Sequence, residues 1–293
     1  MISEKIIGGV LVREIRVSSA LSRSGLPEYD YSLNPYIGCQ HACVYCYAID
    51  FTRGEPGEKW GEVVYVKINL VNILSREIRR KRPGVVGVST ITDPYIPLEA
   101  VYSLTRRSLE ILFKNRFRVS IQTKSALVIR DLDLFERYRD LVDIGFTITT
   151  LDPGVKKIIE PRSSHPLAVE RALRKISSRG IRTWIFIGPL IPGVNDDLEN
   201  IKSIVSLAKE TNSEVIIDRF REHPGAVNNM RIRLGEDFVD KILLRNNISW
   251  WRNLSENITR ICREENVSCS TADDYWRRLR EESITTRGPG HSR

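Results

Sequence analysis

The chain has 293 residues, 41% of them hydrophobic and 28% charged, with a formal net charge of +8. That length supports one large core, and no apolar run approaches the roughly 18–20 residues of a membrane-spanning helix. Met1–Ile7 is charged and lacks the apolar stretch of a secretory signal, so a cytoplasmic protein without membrane association is expected.

In chain order, residues 1–30 are polar or irregular and read as a peripheral N-terminal extension. From there, short β-branched runs recur: Tyr31–Ile37, Val85–Ile91, Phe117–Gln122, Val142–Thr149, Ile181–Ile187 and Glu214–Phe220. Amphipathic stretches separate them, at Leu70–Arg82, Leu98–Asn115, Leu127–Arg139, Pro166–Arg179 and Leu198–Thr211. Continuous apolar runs alternating with i, i+3, i+4 patterns are the signature of βαβ units on a parallel sheet. Six units over residues 31–234 predict an α/β fold, a partial (β/α)6 TIM-like barrel or a doubly wound sheet. Either places ligands at the C-terminal ends of the strands. Residues 235–293 predict a C-terminal extension of two helices, a short strand at Asn266–Ser270, an aromatic and basic segment, and a polar end from Glu281.

Five cysteines occur, and Cys39, Cys43 and Cys46 fall within eight residues, directly after the first predicted strand ends at Gly38. The spacing C-x3-C-x2-C does not resemble a secreted disulfide framework and points to metal. Thiolates are soft ligands, and three of them hold three irons of a [4Fe–4S] cube while leaving the fourth iron open for chemistry. The competing assignment is zinc on the three cysteines plus His41, in a nucleic-acid-binding protein without catalysis. Zinc sites usually draw their ligands from two separated knuckles, and His41 lies inside the loop.

The motif Cys39-Gln40-His41-Ala42-Cys43-Val44-Tyr45-Cys46 resembles the signature of the radical S-adenosylmethionine (SAM) superfamily. The flanking Asn34-Pro35-Tyr36-Ile37-Gly38 and Tyr47-Ala48 are similar to its spore photoproduct lyase-like, or DNA repair photolyase-like, branch. The resemblance runs from about Asp30 to Asp218. It implies a [4Fe–4S] cluster, SAM as cofactor, and an electron donor of the ferredoxin or flavodoxin kind. It also implies reductive SAM cleavage to a 5′-deoxyadenosyl radical that abstracts a substrate hydrogen.

The resemblance places Tyr45 beside the adenine of SAM. Ser89, Thr90, Thr92 and Asp93, after the second strand, would face the SAM amino group and ribose, with helix capping as the alternative for each. Lys124, with Ser125 after it, would bind the SAM carboxylate, and Thr147 aligns with a hydroxyl at the same carboxylate. Glu160-Pro161-Arg162 also echoes the family, with Arg171 a candidate ion-pair partner for Glu160. The segment Gly188–Asp196 resembles the adenine-contacting turn, a plain capped turn being the alternative.

One departure is clear. In spore photoproduct lyase a cysteine next to the second strand's end returns hydrogen to the product radical. Here the stretch Ser89-Thr90-Ile91-Thr92-Asp93 has none, so direct repair of that lesion is not expected. Cys269, at the end of the last predicted strand, is the candidate late donor if it faces the barrel mouth, while Cys262 reads as core. The basic balance and Trp250, Trp251, Tyr275 and Trp276 beside arginines favour a nucleic acid or nucleotide substrate over a peptide or small metabolite.

Overall fold

The computed structural model describes residues 4–278. Its twelve strands are β1 (Glu4–Ile7), β2 (Val10–Ile15), β3 (Ser22–Arg23), β4 (Tyr31–Leu33), β5 (Tyr36–Ile37) and β6 (Val63–Lys67), followed by β7 (Val85–Val88), β8 (Arg118–Thr123), β9 (Val142–Thr147), β10 (Arg182–Leu190), β11 (Glu214–Arg219) and β12 (Cys269–Thr271). The larger sheet runs in the order β12-β11-β10-β9-β8-β7-β4-β3, parallel throughout except for the edge strand β3. Its two edges are not paired, so the partial barrel stays open on one side.

The two faces of the sheet follow from side-chain alternation along each strand. Val86, Val88, Val119, Ile121, Ile144, Phe146, Ile185, Ile187, Val215 and Ile217 pack in one core with the helices Leu104–Lys114, Pro166–Ser177, Leu198–Glu210 and Ile248–Glu264. The opposite, inner face carries Ser120, Gln122, Asp143, Thr147, Trp184 and Phe186. Gly145 is required there, because a Cβ would lie 2.3 Å from the Trp184 ring.

Two expectations are corrected. The N-terminal stretch is not all peripheral: β1 and β2 join β6 and β5 in a second, four-stranded sheet, and Val10 and Val12 of β2 are fully buried while β1 is its exposed edge. The expected strand Tyr31–Ile37 is two strands, because the chain crosses at Asn34-Pro35 from the large sheet to the small one. Beyond residue 235 lie the helices Glu236–Arg245 and Ile248–Glu264 and the strand β12, and a further helix, Pro224–Leu234, not anticipated from the sequence, precedes them. The expected tail from Glu281 lies outside the described residues. No helix among the described residues is long and apolar enough to cross a membrane.

Candidate active site

The cysteine loop leaves the small sheet at Gly38, whose φ is +81° and where a Cβ would meet the Val63 carbonyl oxygen at 2.6 Å. Only glycine fits that left-handed, crowded corner. The loop is then fixed from several sides. The Leu98 N–H donates to Gln40 Oε1 at 2.7 Å, the Val44 N–H to the Ile159 carbonyl at 2.9 Å, and Asn229 Nδ2 to the Val44 carbonyl at 2.8 Å. Asp50, just past the loop, caps the helix Pro224–Leu234 through the N–H groups of Gly225 and Ala226. The C-terminal helices therefore buttress the loop, with Cys43, Val44 and Tyr45 sharing a cluster with Phe220, Met230, Val239 and Ile242.

Cys39 and Cys43 are buried, Cys46 is half-buried, and none of the three is in a disulfide. Burial pushes the Cys39 thiol up to about 12 and the Cys43 thiol well above its ordinary range. Buried thiols that resist ionisation are what a thiophilic metal centre converts to thiolate ligands, so the donor set suits iron–sulfur chemistry. His41 is enclosed beside Asp93. Its ring is 2% exposed, with Nδ1 3.4 Å from Asp93 Oδ2.

Lys124, one residue beyond β8, projects its ammonium to 5.8 Å from the Tyr45 ring centroid. Burial would lower its pKa, but Cys43, Glu160, Cys46 and Asp93 nearby together raise it well above the ordinary lysine range. No carboxylate among the described residues lies within ion-pair distance of this ammonium, so it is open to a carboxylate on a ligand. Ser89, at the end of β7, likewise has a buried hydroxyl without a hydrogen-bond partner. A desolvated ammonium and an orphaned hydroxyl at neighbouring strand ends fit the carboxylate and amino groups of an amino-acid-bearing cofactor such as SAM.

The other expected contacts have tasks inside the protein. Asp93 accepts from the Thr123 hydroxyl at 2.7 Å, the Lys124 N–H at 2.7 Å and the Tyr95 N–H at 2.8 Å. Burial works against its charge, yet His41 and these hydrogen bonds hold its pKa below the usual carboxylate range. Thr92 Oγ1 donates to the Gly38 carbonyl at 2.7 Å, which ties the strand end to the cysteine loop. Thr90 is clasped by Asn34, which accepts from the Thr90 N–H at 3.0 Å and donates to its Oγ1 at 3.3 Å. Ser125 caps the following turn by accepting from the Leu127 N–H, and Thr147 accepts from Gln122 Nε2 at 3.0 Å.

Glu160 is fully enclosed. It accepts from the Tyr45 hydroxyl, from Thr149 Oγ1 at 2.8 Å and from Lys156 Nζ at 2.6 Å. Burial would raise its pKa, but Lys156, Lys124 and these hydrogen bonds bring it down to about 2. Its partner is thus Lys156 and not Arg171, which is exposed. The i, i+4 spacing of Lys156 and Glu160 was the available signal. Asn195, in the expected adenine-contacting turn, holds that turn by donating to the Thr149 and Pro189 carbonyls and accepting from the Ile191 N–H.

Cys269 is not brought to the mouth. It pairs with Val215, near the N-terminal end of β11, about 13 Å of strand below Arg219. Like Val215 it faces the helices, where it meets Cys262. The aromatic grouping also divides. Trp251 is buried in the helix-side core and Trp250 Nε1 donates to Asp196, whereas Trp276 packs on the inner face against Trp184 and Ile216.

A family model described as the Radical SAM superfamily matches residues 33–205, more than half of the chain. An uncharacterized protein of Methanocaldococcus jannaschii is 35% identical over 196 residues, covering 67% of this chain and 72% of its own length. A protein of Pseudomonas phage M6 named radical SAM Nalpha-GlyT isomerase is 24% identical over 190 residues, 62% of this chain and 38% of its own length. Among solved structures, a spore photoproduct lyase variant with bound AdoMet and dinucleoside spore photoproduct superposes with a TM-score of 0.69. That match covers 89% of this chain and 80% of the other at 16% identity, a likeness of fold.

Proposed function

We propose that this chain, which belongs to the radical SAM superfamily, holds a [4Fe–4S] cluster at Cys39, Cys43 and Cys46 and cleaves SAM reductively. A cluster held there would supply an electron, and SAM held beside it would supply the radical chemistry that removes a substrate hydrogen. The observation that carries the reading is the placement of a half-buried ammonium without an ion-pair partner, Lys124, beside a largely buried three-cysteine loop.

The chain's own residues prepare the site. Lys124 binds the SAM carboxylate, and the Ser89 hydroxyl takes a polar group of the methionyl end. Tyr45 packs at the adenine side while its hydroxyl stays committed to Glu160. Asn34, Thr92 and Asp93 hold the β7 and β8 ends against the loop, so Lys124 and Cys39 keep a fixed relation.

The substrate class is a nucleic acid or nucleotide. Supporting it are the net charge of +8 and the Arg221 guanidinium 6.0 Å from the Trp276 ring on the inner side of the barrel. A low-potential ferredoxin- or flavodoxin-like protein supplies the electron. The test is anaerobic reconstitution with iron and sulfide, followed by dithionite and SAM. Brown protein with about four irons that releases 5′-deoxyadenosine and methionine meets the proposal. Colourless protein with stoichiometric zinc, or S-adenosylhomocysteine as the only product, defeats it. Added oligonucleotide, mononucleotide or peptide that raises deoxyadenosine release then sorts the substrate classes.

A further inference from the structure

Cys262 and Cys269 lie outside this site, and the SAM chemistry does not use them. Cys262 sits near the end of the helix Ile248–Glu264 and is buried; Cys269 opens β12 and is half-buried. The chain between them doubles back tightly, with Asn266 at φ +58° and the Val267 N–H donating to the Cys262 carbonyl at 2.8 Å. The register of β12 turns Cys269 toward the helices, where it packs on the core that also holds Cys262. Both sulfur-bearing residues also line one solvent-open cavity of about 490 Å³, together with Thr259, Arg263 and Ser268.

We propose that Cys262 and Cys269 form a dithiol modification site that low-molecular-weight disulfides oxidise reversibly to an intramolecular disulfide. One thiolate attacks a sulfur of the small disulfide, forming a mixed disulfide and expelling one small thiolate. The second protein sulfur, having lost its proton, attacks the mixed disulfide and expels the other. One small-molecule S–S bond is reduced to two thiols as one protein S–S bond forms, so electrons and protons balance. The cavity admits the reagent at the half-buried Cys269, and the buried Cys262 resolves the mixed disulfide.

The position gives the bond a consequence for the barrel. Immediately after β12, Asp273 binds Arg221 at 3.1 Å and Trp276 Nε1 donates to Glu28 Oε1 at 3.1 Å, bridging the unpaired edges of the large sheet. Oxidation pins the root of this strap to the last long helix.

The experiment equilibrates the full-length protein with graded mixtures of reduced and oxidised glutathione, alkylates the remaining thiols and maps the peptides. The expected product joins Cys262 to Cys269 with loss of both thiol hydrogens and is reversed by dithiothreitol. Cys262→Ser should leave Cys269 glutathionylated at roughly tenfold the wild-type level, for want of a resolving partner, whereas Cys269→Ser leaves only the buried Cys262 and should take up little glutathione. Free alkylation of both thiols after the most oxidising mixture, in folded protein whose unfolded chain does oxidise, overturns the proposal. So does wild-type protein that stops at the mixed disulfide. Cys39, Cys43 and Cys46 are read on separate peptides, so failure to bind iron leaves this result intact.

Discussion

The Lys124 ammonium lies 5.8 Å from the centroid of the Tyr45 ring, while the Tyr45 hydroxyl donates to Glu160 on the far side. Strand end, cysteine loop and the helix Pro153–Ile159 are thereby joined into one electrostatic unit. Lys124 is the member of that unit left without a carboxylate within ion-pair distance. A desolvated cation next to thiols stabilises thiolate charge, and it also waits for an anion.

Replacing Cys39, Cys43 or Cys46 by Ala should abolish cluster retention or SAM cleavage, because three ligands already leave one iron without a protein donor. Iron analysis and deoxyadenosine release after reconstitution check this. Cys262→Ala should retain the wild-type iron content, since that thiol packs among the helices. Full iron and full cleavage in all three loop variants would end the cluster assignment.

Lys124→Ala should weaken SAM binding by about 1.5–3 kcal/mol, roughly 10- to 150-fold, as loss of a hydrogen bond between charged groups. Thr90→Ala should cost less, about 0.5–1.5 kcal/mol at most, because Thr90 Oγ1 is neutral and already accepts from Asn34. Equilibrium binding of SAM to reconstituted protein measures both. Equal affinity of Lys124→Ala and wild type would remove Lys124 from the site.

Glu160 should make the fold acid-sensitive. Its pKa falls from 4.5 to about 2 on folding, so its contribution is fully present above pH 4.5 and is lost as pH drops through the folded value. The shift corresponds to about 3 kcal/mol. Glu160→Gln keeps the shape but leaves Lys156 facing an amide, and should cost about 3–5 kcal/mol near neutrality, as for a broken buried ion pair. The gap between wild type and variant in urea denaturation should narrow as pH falls below 4.5. A gap that is constant down to about pH 3 would show that Glu160 is not the titrating group.

The large sheet was legible in the sequence because its strands are buried runs of Val and Ile with amphipathic helices between them. The four-stranded sheet was not, since β5 has two residues and β1 is exposed. The cysteine loop was readable from spacing alone. Which polar groups face outward to a ligand was not, because Thr92, Asp93 and Ser125 have the same chemistry whether they bind SAM or a backbone amide. Only their partners across the fold, Gly38, Lys124 and Leu127, separate the two uses. Cys269 shows the limit most clearly. A strand of three residues gives no periodicity from which to read its buried face, and that face depends on pairing with Val215.

This last placement bears on the lesion that spore photoproduct lyases repair. Such repair requires a hydrogen atom to be returned to the product radical, and a thiol gives one up far more readily than a hydroxyl. At the end of β7 the inner side presents Ser89, whose O–H bond is too strong for the task. The proposed cluster would take up the three loop cysteines, and Cys262 and Cys269 face the helices on the other side of the sheet. No thiol of this chain therefore stands where a substrate radical at the barrel mouth could reach it. Reconstituted protein incubated anaerobically with a spore-photoproduct dinucleotide, SAM and dithionite should release 5′-deoxyadenosine without clean turnover to thymidylyl-thymidine. Cys269→Ala should behave as wild type in this assay, and Ser89→Cys is the variant expected to gain whatever repair the pocket permits. Multiple-turnover repair by the wild-type chain would mean that hydrogen reaches the product by a route other than a thiol on the barrel's inner face.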